Sequence, residues 1–557
     1  MISGVQLRDA IVSGANNILN LKSSVDELNV FPVPDGDTGT NMSMTIGASV
    51  DELKTLPDSC TVEQSSQVAA SALLRGARGN SGVILSLLFR GFSRALQGKE
   101  AASSEDLYIS LCKGVEAAYK AVMKPTEGTI LTVAREASEK AEAVYKDMNP
   151  VELWVFIVEQ CKETLSRTPE MLPVLKQAGV VDAGGQGLVV IFEGMLSVFR
   201  DGKMIEDAGK KASGASNKKA SSKDTDEEVT KNYCMEFYVN KKGDANIKKL
   251  SAFLESLGES VVCAEQDEII KCHVHTEQPG NAINEAIKHG YLTGLKIENM
   301  VEQQTEAEEE KRRSEKEDLA KEKKQSDEEF PYVEPDNSVE YGFVTVGSGE
   351  GIKQLFLDLG ATKVVSGGQT MNPSTDDILK AIQSVAAKNV LVLANNKNII
   401  MAAEQACKLA DRKAVVLTTR TIPQGISAMI AFDGALSLKE NVINMNAAAD
   451  KVTTGQVTFA ARDSDFDGHD IKEGEILALH NGKLDFVEKD ISKAAVKLAR
   501  KIITKSTEFV TVIYGDGISE EEAEGVGDTI KKTLSSSAEL TLINGGQPVY
   551  YYYISAE

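Results

Sequence analysis

The sequence predicts a multidomain protein with an all-α N-terminal domain, a small α+β middle domain and a C-terminal α/β domain. Three observations carry that expectation. The chain has 557 residues, too many for one hydrophobic core. Two stretches, around residues 203–228 and 302–330, hold few side chains able to join a core. Apolar residues recur at helical spacing before the first stretch, and strand-turn-helix units follow the second. The predicted boundaries are 1–202 for the helical domain, 203–228 for a flexible linker, 229–300 for the middle domain, 301–338 for a charged linker and 339–557 for the α/β domain.

Composition narrows the function. The formal net charge is -22, which leaves no basic excess to neutralise nucleic-acid phosphates or an anionic membrane surface. Nucleic acid is therefore not an expected partner. No apolar run is long enough to span a bilayer, and the start, Met1-Ile-Ser-Gly-Val, has no basic region followed by an apolar one. The seven cysteines (Cys60, Cys112, Cys161, Cys234, Cys263, Cys272 and Cys407) are dispersed without paired spacing. That usage fits a reducing compartment, and a cytoplasmic protein is expected.

In the first 200 residues, Leu7, Ile11, Ile18 and Leu21 fall at helical spacing, and Val68, Ala72 and Leu73 repeat the pattern. Between them lies Asn29-Val-Phe-Pro-Val-Pro-Asp35-Gly-Asp37-Thr38-Gly-Thr40-Asn41-Met42. Asp35 and Asp37 stand one glycine apart in a backbone punctuated by Pro34, Gly36 and Gly39, and Thr38, Thr40 and Asn41 add neutral oxygens. Such a loop suits Mg²⁺, which takes one or two carboxylates and fills its other positions with water and phosphate. Asp-Gly-Asp also occurs in plain surface turns. Thr40 or Asn41 can cap a helix beginning at Met42, whose free N–H groups would face a triphosphate.

Three more loops interrupt the helices. Arg75-Gly-Ala-Arg78-Gly79-Asn80-Ser81-Gly82 either holds a phosphate against Asn80, Ser81 and Gly82 or brings two helices close through its glycines. At Lys124-Pro-Thr-Glu-Gly128-Thr129, Pro125 and Gly128 end one helix and Thr129 caps the next. Ala178-Gly179-Val-Val-Asp182-Ala-Gly184-Gly185 is either a glycine-rich connector or a lid over adenine or ribose. A ring of helices with one rim of small, polar loops accounts for this alternation.

In the middle domain, Tyr233–Val239 and Glu268–His275 read as strands, and Ile247–Leu257 and Gly280–Gly290 as helices. His273 and His275 are two apart on a strand and share a face, as do Cys234 and Glu236 on another. If the two strands are neighbours, a thiolate and two imidazoles converge in a set suited to Zn²⁺. The charged run from Glu306 reads as a spacer, with a docking segment as the alternative. In the last segment, Tyr341–Val346, Lys363–Ser366, Asn389–Ala394 and Ala414–Thr418 read as strands ending in polar loops, where α/β sheets bind ligands. Gly347-Ser-Gly-Glu-Gly351 lacks dinucleotide-loop spacing.

The aspartate loop resembles that of the dihydroxyacetone-kinase L-type domain, most closely the version in bacterial fatty acid kinases. The resemblance runs through the later loops and domains. It implies a helical barrel binding ATP, with Mg²⁺ on Asp35 and Asp37 as the catalytic pair. Nucleotide contacts are implied for Asn29, Thr38, Thr40, Asn41, Asn80, Ser81, Gly82, Gly128, Thr129, Asp182 and Gly184. Dihydroxyacetone kinases carry a third aspartate five residues before the first of the pair. Here that position is Val30, with Asn29 beside it. The resemblance further implies Zn²⁺ on Cys234, His273 and His275, a homodimer through the middle domain, and a C-terminal domain similar to a fatty-acid-binding carrier that docks that carrier. The implied activity is transfer of the ATP γ-phosphoryl to the carboxylate of a carrier-bound fatty acid. The alternatives are a non-catalytic ATP-sensing module and a dihydroxyacetone-type kinase.

Overall fold

Apolar residues at helical spacing and well-formed caps decide the first segment. The computed structural model describes residues 1–29, 36–122, 125–208, 233–242, 247–266, 269–299, 330–367, 372–460, 464–466, 469–535 and 538–557. Of Cys234, residues 259–260, 264–266, 298–299 and 464–466, and 469–470, only the backbone is described. Most of both linkers and Asp35 fall outside the described residues. The chain forms two compact units, residues 1–208 with 326–557, and residues 209–325. Composition divides the helical segment from the C-terminal one, but packing joins them.

A short strand, β1 (Ile2–Ser3), leads into α1 (Gly4–Glu27), α2 (Thr38–Gly47), α3 (Val50–Lys54), α4 (Val62–Gly76) and α5 (Gly79–Ala95). Strand β2 (Ala101–Ala102) pairs back with β1. Then come α6 (Ser104–Ala121), α7 (Ile130–Ala141), α8 (Pro150–Ser166), α9 (Thr168–Met171), α10 (Pro173–Ala178) and α11 (Ala183–Asp201). Ser3, Thr61, Ser103 and Asn149 each close a capping box at the start of α1, α4, α6 and α8, satisfying N–H groups that would otherwise lack partners. Leu7, Ile11 and Ile18 are buried as their spacing requires, whereas Leu21 is exposed and Val25 takes the inward position. Packing runs in a closed circuit, α1 to α4, α5, α6, α7, α8, α11 and back to α1, with α2 set against α1, α4, α5 and α11. Glycines permit the closest crossings. A Cβ on Gly194 would stand 2.7 Å from the Gly14 Cα, and one on Gly91 would stand 2.1 Å from the Lys113 carbonyl oxygen.

The second unit holds β3 (Tyr233–Lys241), α12 (Ile247–Leu257), β4 (Gly258–Gln266), β5 (Ile269–Thr276), α13 (Pro279–Ala286) and β6 (Gly290–Asn299). These strands form an antiparallel sheet in the order β4-β5-β3-β6. The expected β-α-β-α order lacks β4 and β6, because both are short on strict alternation. Met235, Phe237, Ile270, Cys272 and Val274 bury one face of the sheet against Leu250, Leu254, Ala282 and Ala286. Cys263 and Cys272, dispersed in sequence, are cross-strand partners with sulfurs 3.6 Å apart.

The last segment starts with a parallel sheet. Its elements are β7 (Tyr341–Gly347), α14 (Glu350–Asp358), β8 (Lys363–Ser366), α15 (Thr375–Gln383), β9 (Asn389–Leu393), α16 (Ile400–Leu409) and β10 (Lys413–Leu417), in the strand order β10-β9-β7-β8. All four predicted strands are present. After α17 (Ile422–Ile430) and α18 (Leu438–Lys451) come β11 (Thr453–Phe459), the ribbon β12 (Ser464–Phe466) and β13 (His469–Ile471), β14 (Ile476–His480), β15 (Lys483–Glu488), α19 (Ile491–Ile502), β16 (Phe509–Tyr514), α20 (Glu520–Lys531), β17 (Glu539–Asn544) and β18 (Tyr552–Ala556). Six of these strands form a mixed sheet, β15-β14-β11-β18-β16-β17. No helix among the described residues is long and apolar enough to cross a membrane.

Candidate active site

The site begins where α1 ends and α2 starts. α2 opens at Thr38, not Met42, with Asp37 in the N-cap position. Thr40 and Asn41 therefore lie inside the helix, contrary to their expected capping role. The reason is Asp26, on the last turn of α1. Its carboxylate accepts the Thr40 amide at 3.1 Å and the Thr40 hydroxyl at 2.7 Å, and the Gly39 amide also bonds to it. Burial raises the pKa of Asp26 against the pull of these bonds. The Asn41 amide donates to the Asp37 carbonyl at 2.7 Å. The first turn of α2 is thus supplied with acceptors from the protein, and a phosphate would find its donors elsewhere. Asn29 Nδ2 donates to Thr38 Oγ1 at 3.3 Å, which ties the end of α1 to the start of α2.

The 79–82 turn lies directly against α2. A Cβ on Gly79, at φ +59°, would sit 2.6 Å from Asn41 Nδ2, and one on Gly82 would sit 2.3 Å from Thr45 Oγ1. These glycines therefore do bring two helices together. The same approach leaves the first turn of α5, with Asn80 and Ser81, beside Asn41 and the aspartate loop. Such a helix start is a ready donor set for phosphate. The other two loops join this group. Gly187 on α11 packs on the Met42 sulfur of α2. Just before it, Asp182 caps α11 by accepting the Gly185 amide at 2.7 Å, and also takes the Ile130 amide at the start of α7. Thr129 holds the N-cap position of α7 but donates instead to the Thr126 carbonyl at 2.8 Å. Asp182 thus performs the capping expected of Thr129. Its carboxyl is enclosed although the residue is partly exposed, and burial pushes its pKa up to about 6 against those two amides. Gly128, at φ +81°, lies against Met171 and Leu172, and Gly184 against Ile130. All four loops are thus joined through α2 and α11.

The C-terminal segment supplies what sequence reasoning missed. Asn372 Nδ2 donates to Asp37 Oδ2 at 2.7 Å, and Asn80 Nδ2 donates to Asn398 Oδ1 at 3.2 Å. Arg78 donates to the Asn372 carbonyl at 2.8 Å, and the Thr375 amide to the Ala77 carbonyl at 3.0 Å. Asn372 and Asn398 follow β8 and β9, so two of the polar loops at strand carboxyl ends meet the aspartate loop and the 79–82 turn. Their position was the available signal. What they would face could not be read from the chain. A cation suits these groups: Asp37 offers a carboxylate, and the neighbouring Asn372 Oδ1 is a buried acceptor without a hydrogen-bond partner among the described residues.

In the second unit, Cys234 lies opposite His275 and Glu236 opposite His273 on antiparallel neighbours. The two imidazole Nε2 atoms are 3.2 Å apart, and His273 Nδ1 is 3.7 Å from Glu236 Oε1. The thiol of Cys234 lies outside the described residues. No cluster of three metal-ligating side chains is found among those described.

Known proteins show the same three parts. Residues 32–197 match the DAK2 domain, 230–307 the middle domain of FakA-like fatty acid kinase proteins, and 342–557 their C-terminal domain. Protein YloV of Bacillus subtilis is 40% identical over 565 residues, spanning 100% of this chain and 99% of that protein. An uncharacterized protein of Staphylococcus epidermidis is 39% identical over 569 residues, with the same shares. A crystal structure of a DegV family protein from Corynebacterium glutamicum matches 40% of this chain and 97% of its own at 16% identity and a TM-score of 0.32, too low to weigh. The molecule is thus a multidomain protein built on a kinase-type helical domain. It belongs to the FakA-like family of fatty acid kinase proteins.

Proposed function

We propose that this chain transfers the γ-phosphoryl group of ATP to the carboxylate of a fatty acid presented by a separate fatty-acid-binding protein, forming an acyl phosphate. The observation that carries the reading is the junction of the Asp37 loop with the first turn of α5, a carboxylate beside helix-start donors. Asp37 and Asp35 would hold Mg²⁺, which neutralises phosphate charge as it shifts toward the leaving oxygen. The amides and side chains of Asn80 and Ser81 would orient the phosphates. Asp26 keeps the start of α2 fixed, and with it the direction of Asp37. The fatty acid carboxylate, already ionised at neutral pH, needs no general base. Its oxygen bonds to the γ-phosphorus as the bond to the β–γ bridging oxygen breaks, and ADP leaves with that electron pair. The remaining nucleotide contacts would come from Asn29, Asn41, Gly82, Gly128, Thr129 and Gly184, while Thr38 and Thr40, bonded to Asn29 and Asp26, would keep the start of α2 in place and Asp182 would act through α7 and α11.

The test is ATP turnover by the full chain with and without an acyl-loaded carrier. Turnover that requires the loaded carrier, and that drops about a hundredfold or more in Asp37→Ala with the melting temperature unchanged, supports the reading. Binding of ATP without turnover would favour the ATP-sensing module instead, and turnover on dihydroxyacetone would favour the sugar kinase. For the second unit we propose a structural Zn²⁺ on Cys234, His273 and His275, with Glu236 or water completing it, and a homodimer formed through this unit.

A further inference from the structure

We infer that Asn372, from the C-terminal α/β segment, supplies a neutral oxygen to the divalent-metal site at Asp37, so that the kinase site is completed by residues beyond the second linker. The inference rests on the kinase reading above. Asn372 is 1% exposed. Its Nδ2 donates to Asp37 Oδ2 at 2.7 Å, and its own backbone carbonyl is held by Arg78 at 2.8 Å. Arg78 in turn lies 3.8 Å from the Asp377 carboxylate. A bond from the Thr375 amide to the Ala77 carbonyl, 3.0 Å long, fixes the chain just beyond. The residue is therefore held to the helical segment, and among the described residues its buried Oδ1 has no hydrogen-bond partner.

An enclosed acceptor without a partner keeps its full desolvation cost, and such a group calls for an ion or a water. The chemistry narrows the choice. A carbonyl oxygen repels the oxygens of a phosphate, but it accepts a cation or the proton of a metal-bound water. Asp37 stands one hydrogen bond away and is the carboxylate on which a hard cation would sit. Asn80, bonded to Asn398 at 3.2 Å, shows a second strand-end loop of the same segment reaching the same turn.

Direct metal binding tests this in the full chain. Mn²⁺ is titrated in the presence of a non-hydrolysable ATP analogue, and free Mn²⁺ is followed by electron paramagnetic resonance. Asn372→Ala should weaken Mn²⁺ binding by about ten- to a hundredfold, the range for losing a supporting ligand. Asn372→Asp should bind at least as tightly as wild type, because it puts an anionic oxygen in the same place. A ¹³C hyperfine coupling to bound Mn²⁺ in protein carrying amide-¹³C-labelled asparagine, present in wild type and lost in Asn372→Ala, reads the ligand oxygen directly, whereas a residue that only donates to Asp37 gives no such coupling and its absence in wild type overturns the inference. Thermal melts of each variant establish folding, and the aspartate variant decides the matter if the alanine variant does not fold. Wild-type affinity in Asn372→Ala, or alanine-like weakness in Asn372→Asp, overturns the inference while leaving the kinase reading intact. A wild-type protein that binds no Mn²⁺ with nucleotide removes both.

Discussion

At the residue scale, three carboxylates carry different work. Asp37 faces the site, whereas Asp26 and Asp182 hold helix starts in place. Asp182 makes its role measurable through pH. Its folded pKa, about 6, lies above the ordinary 3.8 because burial disfavours the charged form. The folded state therefore holds this proton more tightly than the unfolded state. The stability it contributes is full below about pH 4 and is lost as pH rises through about 6. Asp182→Asn should remove that pH dependence, about 3 kcal/mol in all at about 1.4 kcal/mol per pKa unit, while still accepting the Gly185 amide. Urea unfolding at several pH values between about 4 and 7 checks this, and equal slopes for both proteins would refute it.

At the element scale, the paired strands β3 and β5 matter most. Alternation puts His273 and His275 on the face opposite the buried Ile270, Cys272 and Val274, and the register sets Cys234 and Glu236 across from them. We expect one zinc per chain. Metal analysis after washing with a chelator should find it in the wild type and not in a His273→Ala/His275→Ala double variant. Equal zinc in both, or none in the wild type, rules the site out. Loss of a structural zinc should also lower the melting temperature of this unit, since metal binding and folding are coupled.

At the scale of the whole molecule, the helical and C-terminal segments share one hydrophobic cluster. It runs from Leu73 and Leu85 to Val344, Ile378 and Ile382. Unfolding of the first segment should therefore respond to a lesion in the second. The single tryptophan, Trp154, is 1% exposed among Phe92, Phe192 and Phe199, and reports on the helices alone. Ile382→Ala, at a fully buried position, should cost about 2–5 kcal/mol and lower the Trp154 fluorescence transition. An unshifted transition would mean that the two segments melt independently.

The family, the helical and α/β character of the outer segments, the four parallel strands and the order of the four loops are all legible in the chain. Those features are local: helical spacing, strand alternation and glycine punctuation act within a few residues. The facing of Cys234 and Glu236 with His275 and His273 was legible only as a condition, since alternation fixes a face and pairing fixes a neighbour. The remaining features arise from tertiary packing. Asp26, eleven residues before Asp37, caps α2 because the chain turns back on itself. Asp182 caps two helices because their starts meet. Asn372 and Asn398 reach the candidate site because α15 and α16 pack on the helical segment, over three hundred residues away in the chain. Contacts at that separation come from burying apolar faces against each other, and no spacing rule within a segment states which faces will meet.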